Sequence, residues 1–433
     1  MESTVSPRVD AAEVIVGLDE YVVLDAVDDG DLLTITVTSR RLEAPCPECG
    51  VFSARVKSAR TQAVVDSPGF GRPCRLRVLK RALRCDTDWC PRRSFTPATQ
   101  QLPTRARITT RCRALIGAAG RDRSVASVAA EYGVSWHTGW SCVAAAARAV
   151  IAGRPTRPVL RLGVDETRFT RTEKWLTGFV DLDTGTLLDV VPGRTSASVA
   201  SWLNELSPAD LAAITVVVTD PHAGYRNALL AGLTDVTAVV DRFHVAQLAG
   251  RAVTTVRRRR IWEQADRRGR KTDPGWRARH DLLRRRHDLT PRGGSRILAA
   301  CRADTGTAHI EGELLHAWAG KEHLADIYDT ALDPAHARRL LTWWYWWISE
   351  HPVPELVTLA ETISAWEPQF LAYFDTRATN GRTEGVNRII KHVKRTGFGY
   401  RNLANYRLKI LYRCTRLPSP TEPAERLPAA GNA

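Results

Sequence analysis

Three acidic side chains stand where metal-assisted chemistry would need them. Asp165 closes the apolar run VLRLGV and Asp220 closes ITVVVT. If both runs are strands and parallel neighbours, about 4.8 Å apart, the two carboxylates emerge side by side at one sheet edge. Adjacent carboxylates repel unless a cation bridges them, and hard oxygen donors select Mg2+ or Mn2+. Such ions activate a water or a 3′-hydroxyl and stabilise the leaving oxygen of a phosphodiester. The third acid is Glu384, alone among six Lys/Arg in NGRTEGVNRIIKHVKRTGFGYRN, residues 380–402. On a helix beginning near Gly381, Glu384, Asn387, Arg388 and Lys391 recur at three- and four-residue spacing and share a face. That face offers one metal ligand, one amide and two cations, and so basic a helix would hold phosphates through Asn387, Arg388, Lys391, Lys394 and Arg395. Beside phosphates a lone carboxylate is misplaced unless a metal lies between them.

A fourth acid leaves the second position open. In VVDRFHV, Asp241 ends the next apolar run and His244 follows three residues later. Asp241 either replaces or assists Asp220, and His244 orients the leaving phosphate or a flanking nucleotide, or is a satisfied histidine at a helix start.

A second chemistry lies upstream. Five of nine cysteines fall between Cys46 and Cys90. The pairs Cys46/Cys49 in CPECG and Cys85/Cys90 in CDTDWC sit on tight turns separated by a strand-rich loop. That arrangement aims four thiolates at one tetrahedral structural Zn2+. Cys74 is the spare, and Cys112, Cys142, Cys301 and Cys414 read as small core residues.

The elements that must position these groups follow a coarse plan. Residues 1–45 form a small acidic, β-rich lead-in with a hairpin around DDGD. Residues 46–100 form the zinc-binding ribbon. In 104–152 a short helix, a turn at Gly133 and a second helix capped by Ser135 make a helix-turn-helix, which presents Ser135, Trp136, His137 and Thr138 toward a DNA groove. Residues 158–244 run strand, strand, strand, helix, strand, helix, strand, the order of a ribonuclease H-like domain. An α-helical basic insertion spans 245–375, the final helices of the catalytic core span 376–416, and 417–433 is a disordered tail. The fold class is therefore multidomain α+β. In the insertion, Trp343, Trp347 and Trp346 are expected to pack the core, leaving Trp344 or Tyr345 to stack on an unpaired base.

Net charge is +15, yet residues 1–45 carry ten acids against three Lys/Arg. Residues 242–302 hold 18 Lys/Arg against five acids, with Arg257, Arg258, Arg259 and Arg260 consecutive. A polyanion is the natural partner of such a segment. No apolar run is long enough for a membrane span and the first residues lack a signal-peptide layout, so a cytoplasmic protein with no membrane partner is expected.

Taken together, CPECG, RCDTDWCPRRSF, the helix-turn-helix, GVDETRF, VVTDPHAGYRNAL, VVDRFHVAQL and NGRTEGVNRIIKHVKRTGFGYRNLANYRLKILYR resemble the DDE transposases of bacterial insertion sequences, specifically the IS-L-three group. The resemblance runs from about residue 46 to 414. It implies an enzyme that binds terminal inverted repeats and uses Mg2+ to cleave DNA strands and join them to target DNA. It also implies an acidic triad of Asp165, Asp220 and Glu384, with Asp241 and His244 matching an Asp-x-x-His element. Joining two ends requires a homodimer or larger assembly. The alternative from the binding class is a catalytically silent, sequence-specific DNA-binding regulator derived from a transposase.

Overall fold

The computed structural model describes residues 11–69, 71–169, 175–307 and 309–416. The tail expected at 417–433 lies outside the described residues. The hairpin around DDGD is present: β1 (Tyr21–Asp28) pairs antiparallel with β2 (Leu33–Ser39). Asp29 shapes its turn by accepting the N–H groups of Asp31 and Leu32. A longer hairpin of β3 (Val56–Gly69) and β4 (Arg72–Arg84) extends the sheet in the order β1-β2-β4-β3, with β2 and β4 parallel. Along β4, Cys74, Leu76 and Val78 are buried while Arg75 and Arg77 are exposed, the period-two signature of a sheet wetted on one face.

Three helices follow: α1 (Thr110–Ala119), α2 (Val125–Glu131) and α3 (Trp136–Ala152). Thr109, Ser124 and Ser135 cap them, each side chain accepting a backbone N–H from the first turn. Gly133 turns the chain between α2 and α3 at φ +61°, a conformation that favours glycine. Ile116, Val128 and Cys142 form the core of the trio.

The α/β portion comprises β5 (Arg161–Arg168), β6 (Trp175–Asp181), β7 (Thr186–Pro192), α4 (Ser196–Leu203), β8 (Val216–Thr219), α5 (Ala223–Gly232) and β9 (Thr237–Val240). Its sheet order is β7-β6-β5-β8-β9. The first three strands form an antiparallel meander, and β5, β8 and β9 are parallel. This is the ribonuclease H-like arrangement. Leu162, Val164 and Val217 point to one face, where Val199, Trp202, Tyr225 and Leu229 of α4 and α5 cover them. Val218 and Val239 belong to the other core, shared with the helices that follow.

Those helices are α6 (Arg242–Ala265), α7 (Pro291–Thr305), α8 (Glu313–Thr330), α9 (Pro334–Glu350), α10 (Pro354–Ala365) and α11 (Glu367–Thr376). The tryptophan expectation for α9 needs correcting. Trp344 is fully buried and its indole N–H donates to Gly320 O at 2.9 Å, whereas Trp343 and Trp346 are 45% and 57% exposed. Tyr345 and Trp347 are half-buried against the core. The phase is set by the stripe Ala337, Leu341, Trp344 and Ile348, four, three and four residues apart. Reading the aromatics without the aliphatic residues upstream missed that stripe.

Finally come α12 (Gly381–Thr396) and α13 (Leu403–Cys414). The chain divides into two compact units, Met1–Arg154 with Ile389–Ala433, and Pro155–Arg388. Within the first, Tyr412 of α13 packs on Val125, Val143 and Ala147, and its hydroxyl donates to Gly117 O at 3.1 Å. Among the described residues no helix is long and apolar enough to cross a membrane.

Candidate active site and zinc centre

Cys46, Cys49, Cys85 and Cys90 converge, with all four sulfurs within 4.8 Å of one another. Cys46 and Cys90 Sγ are 4.0 Å apart, and Cys49 and Cys85 Sγ 3.6 Å. Four thiolates about 2.3 Å from a tetrahedral zinc would be separated by roughly 3.8 Å, so the donor set fits the ion. The turn that aims the first pair closes through Gly50 N–H to Cys46 O at 2.8 Å, with Gly50 at φ +74°. The Val51 N–H beside Cys49 lowers that thiol to about 7, and burial pushes Cys90 up to about 12. A structural Zn2+ is the group this cluster suits. Cys74 lies apart, in the core beneath β4.

The acidic residues are brought together by register. Thr219 of β8 stands opposite Val164 of β5 and Val240 of β9. The residues that follow, Asp165, Asp220 and Asp241, therefore form a row across three adjacent strands. Asp165 accepts the Glu166 N–H at 2.6 Å and the Asn387 side-chain amide at 2.6 Å. Burial, and then the charge of Asp220, push its carboxyl up to about 7. The row is thus electrically over-supplied with negative charge, the condition a hard cation relieves.

His244 sits against the row at the start of α6. Its Nδ1 is 2.8 Å from Asp220 and 3.2 Å from Asp241. The Asp241 contact meets hydrogen-bond geometry, and the shorter one to Asp220 is an ionic contact. Burial works against the imidazolium, but the two carboxylates prevail and raise it to about 10. Asp241 has a second engagement, accepting the Asn380 backbone N–H at 3.0 Å. It is 2% exposed, against 20% for Asp220.

Helix α12 is seated on β5 by residues that sequence reasoning missed. Gly163 and Asp165 share a face of the strand. A Cβ on Gly163 would lie 2.3 Å from Thr383 Oγ1 and 2.7 Å from Asn380 Oδ1, so only glycine lets the helix come this close. An isolated glycine two residues before a strand-end acid was the available signal. Asn387, expected to face DNA, is instead 6% exposed and bonded to Asp165. Glu384 lies one turn before it, half-buried, and residues three apart on a helix hold their Cβ atoms about 5–6 Å apart. Among the described residues, the carboxylates do not close to the mutual distance of the cysteines.

The remaining residues expected on DNA divide. Ser135 caps α3, accepting the Thr138 N–H at 3.2 Å, and His137 is exposed. Trp136 is 45% exposed and stacked on Trp140. Of the arginine tetrad, Arg257 is buried and Arg258 exposed. Arg259 pairs with Glu263, Glu313 and Glu355, and Arg260 with Glu263 and Asp304. Arg388, Lys391 and Arg395 are exposed, and Lys394 is half-exposed.

Residues 162–410 match the ISL3 family, described as a transposase, and residues 43–90 match the family described as the zinc-finger of transposase IS204/IS1001/IS1096/IS1165. The chain is 26% identical over 387 residues to the transposase for insertion sequence element IS1001 of Bordetella parapertussis, covering 88% of this chain and 92% of that one. It is also 26% identical over 264 residues to the transposase for insertion sequence element IS1557 of Mycobacterium tuberculosis, covering 56% of this chain and 57% of that one. With more than half its length matched by the transposase family and the cysteine cluster inside the matched zinc finger, the chain belongs to the ISL3 transposase family.

Proposed function

We propose that this transposase binds the terminal inverted repeats of its insertion element as a homodimer or larger assembly, cleaves DNA strands there, and joins the freed ends to target DNA. The observation that carries the proposal is the row of carboxylates across β5, β8 and β9, with α12 tied to both of its ends by Asn387–Asp165 and Asn380–Asp241. Asp165, Asp220 and Glu384 would hold Mg2+ or Mn2+, which when bound supplies charge to activate a nucleophile and stabilise a leaving oxygen.

The chain's own groups then have distinct tasks. Asn387 and the Glu166 N–H fix the orientation of the Asp165 carboxylate. His244, in contact with Asp220 and Asp241, offsets part of their negative charge when protonated. Asp241 is a positioning residue: buried and doubly engaged, it holds His244 and the start of α12, whereas the more exposed Asp220 is available to a ligand. Arg388 and Lys391, exposed on α12, meet the phosphates flanking the site, and the helix-turn-helix and zinc ribbon read the repeat.

Strand cleavage of a duplex carrying the element's own end tests this reading. Glu384→Gln and Asp220→Asn should each lower cleavage by roughly 10³-fold or more while the duplex is still bound. Cleavage surviving Glu384→Gln removes the triad. Loss with Asp241→Asn but not Asp220→Asn reverses the assignment of the second carboxylate. Wild-type binding without any metal-dependent nicking leaves only the regulator reading.

A further inference from the structure

The loop between α12 and α13 holds an aromatic side chain in a position that folding alone does not explain. Phe398 is 95% exposed, the largest value among the exposed large hydrophobic residues described. Its φ of +53° is left-handed, which a bulky residue rarely adopts. The loop is nevertheless well fixed. Gly397 N–H donates to Val393 O, Phe398 N–H to Arg395 O and Gly399 N–H to Lys394 O, at 3.1, 3.1 and 2.9 Å. The Tyr400 ring lies so close under Gly397 that a Cβ there would meet it at 2.7 Å. The phenyl ring is therefore presented outward on a braced tip.

Its surroundings identify the partner. Residues 385–416 contain nine Lys/Arg and no acid, and Lys394, Arg395 and Arg401 flank the tip. Beside Phe398 opens a cavity of about 300 Å³, walled by Trp136, Trp140 and Tyr400, with Asn402 and Asn405 also lining it. Trp136 lies at the start of the second helix of the helix-turn-helix. A rigid apolar wedge among cations, next to an aromatic-walled cavity, suits a duplex whose stacking is to be opened: the wedge enters a base step and the aromatic faces receive the displaced base.

We propose that Phe398 is an unstacking wedge that enters one base step of the bound terminal repeat, with the Trp136–Trp140–Tyr400 cavity accepting the displaced base. The inference rests on the DNA-binding reading above and adds to it a distortion at a defined place. It requires no covalent step.

Permanganate reactivity of thymines tests it, using the full-length protein and a duplex of the terminal repeat flanking its gene, with thymine placed at successive positions. A band-shift measurement on the same duplex runs alongside. Wild-type protein should raise reactivity at one or two adjacent steps at least fivefold. Phe398→Ala should abolish that enhancement while affinity changes by less than about tenfold, because the lost stacking is offset by the unstacking no longer required. Phe398→Trp should retain it. Enhancement that persists in Phe398→Ala, or wild-type binding with no enhancement at any step, overturns the wedge and leaves DNA binding intact. Failure of wild-type protein to shift the duplex overturns the DNA-binding reading and the wedge with it. Loss of self-association in Phe398→Ala, with the reactivity pattern unchanged, makes the tip a contact between copies and also overturns the proposal.

Discussion

Two regions of this molecule look alike as strings of basic residues and differ as structures. The helical segment beginning at α6 carries the densest arginine in the chain, but several of its arginines are tied to acids from elsewhere in the same helical segment. Arg259 meets Glu313 and Glu355, Arg260 meets Asp304, Arg285 meets Glu322, Asp326 and Asp329, and Arg296 meets Asp281. From residue 385 to 416 there are no acids at all, and Arg388, Lys391 and Arg395 form no ion pair among the described residues. The difference teaches that a charge count along the chain does not say where charge is left over. Arginine presents a planar fork suited to carboxylates, so a run of arginines can be the interior glue of a helical domain as readily as a grip on phosphate.

The comparison can be broken hardest where α12 meets the sheet. Gly163→Ala should displace the helix that carries both Glu384 and the basic face. A loss of cleavage of about 10²-fold or more is expected, since misplacement by about 1 Å suffices for that, with terminal-repeat binding largely kept. Cleavage kinetics paired with a band shift would show whether seat and grip separate in this way. Next in size, Arg259→Ala should lower stability by about 2 kcal/mol in chemical denaturation, because it strips charged hydrogen bonds from Glu313 and Glu355. It should leave the salt dependence of DNA binding unchanged; a shallower slope would return the tetrad to the DNA surface.

Lys409 sharpens the contrast from within the acid-free region. It is 3% exposed and donates to Arg123 O at 3.1 Å, and burial pushes its ammonium down to about 8. The unfolded chain keeps that proton to about 10.4. Between these values the unfolded state binds more protons, so this group makes stability rise with pH by up to about 1.4 kcal/mol per unit. Denaturation of wild type and Lys409→Met from pH 7.5 to 10 should show that rise only in wild type. Lys391→Ala and Arg395→Ala should each leave the melting temperature within about a degree. Each should also reduce the log K against log salt slope by roughly 1, a several-fold effect on affinity. Smallest of all, Phe398→Gly relieves a left-handed backbone and should stabilise the protein by about 1 kcal/mol in a thermal melt.

Legibility followed the range of the interaction. Helix caps, cysteine turns and strand-end acids are local, and Ser135, Gly50 and the run before Asp165 could be read directly. The order of strands and helices along the α/β portion followed from the alternation of apolar runs with helical ones. What could not be read depended on partners far along the chain: the acids that quench Arg259, the 139-residue link from Asp241 to Asn380, and the aliphatic stripe that fixes Trp344 inside. Asn387 illustrates the limit well. Its helix face was predictable, but whether that face turned to DNA or to Asp165 depended on Gly163, more than two hundred residues earlier.

The bond from Asn387 to Asp165 spans 222 residues. On a ribosome adding about 5–20 residues each second, the strand bearing the first carboxylate waits roughly 10–40 s before the residue that steadies it has been made. During the later part of that interval the sheet and its first two carboxylates exist without Glu384. Under the proposed assignment, an unfinished polypeptide lacks the last of the three carboxylates.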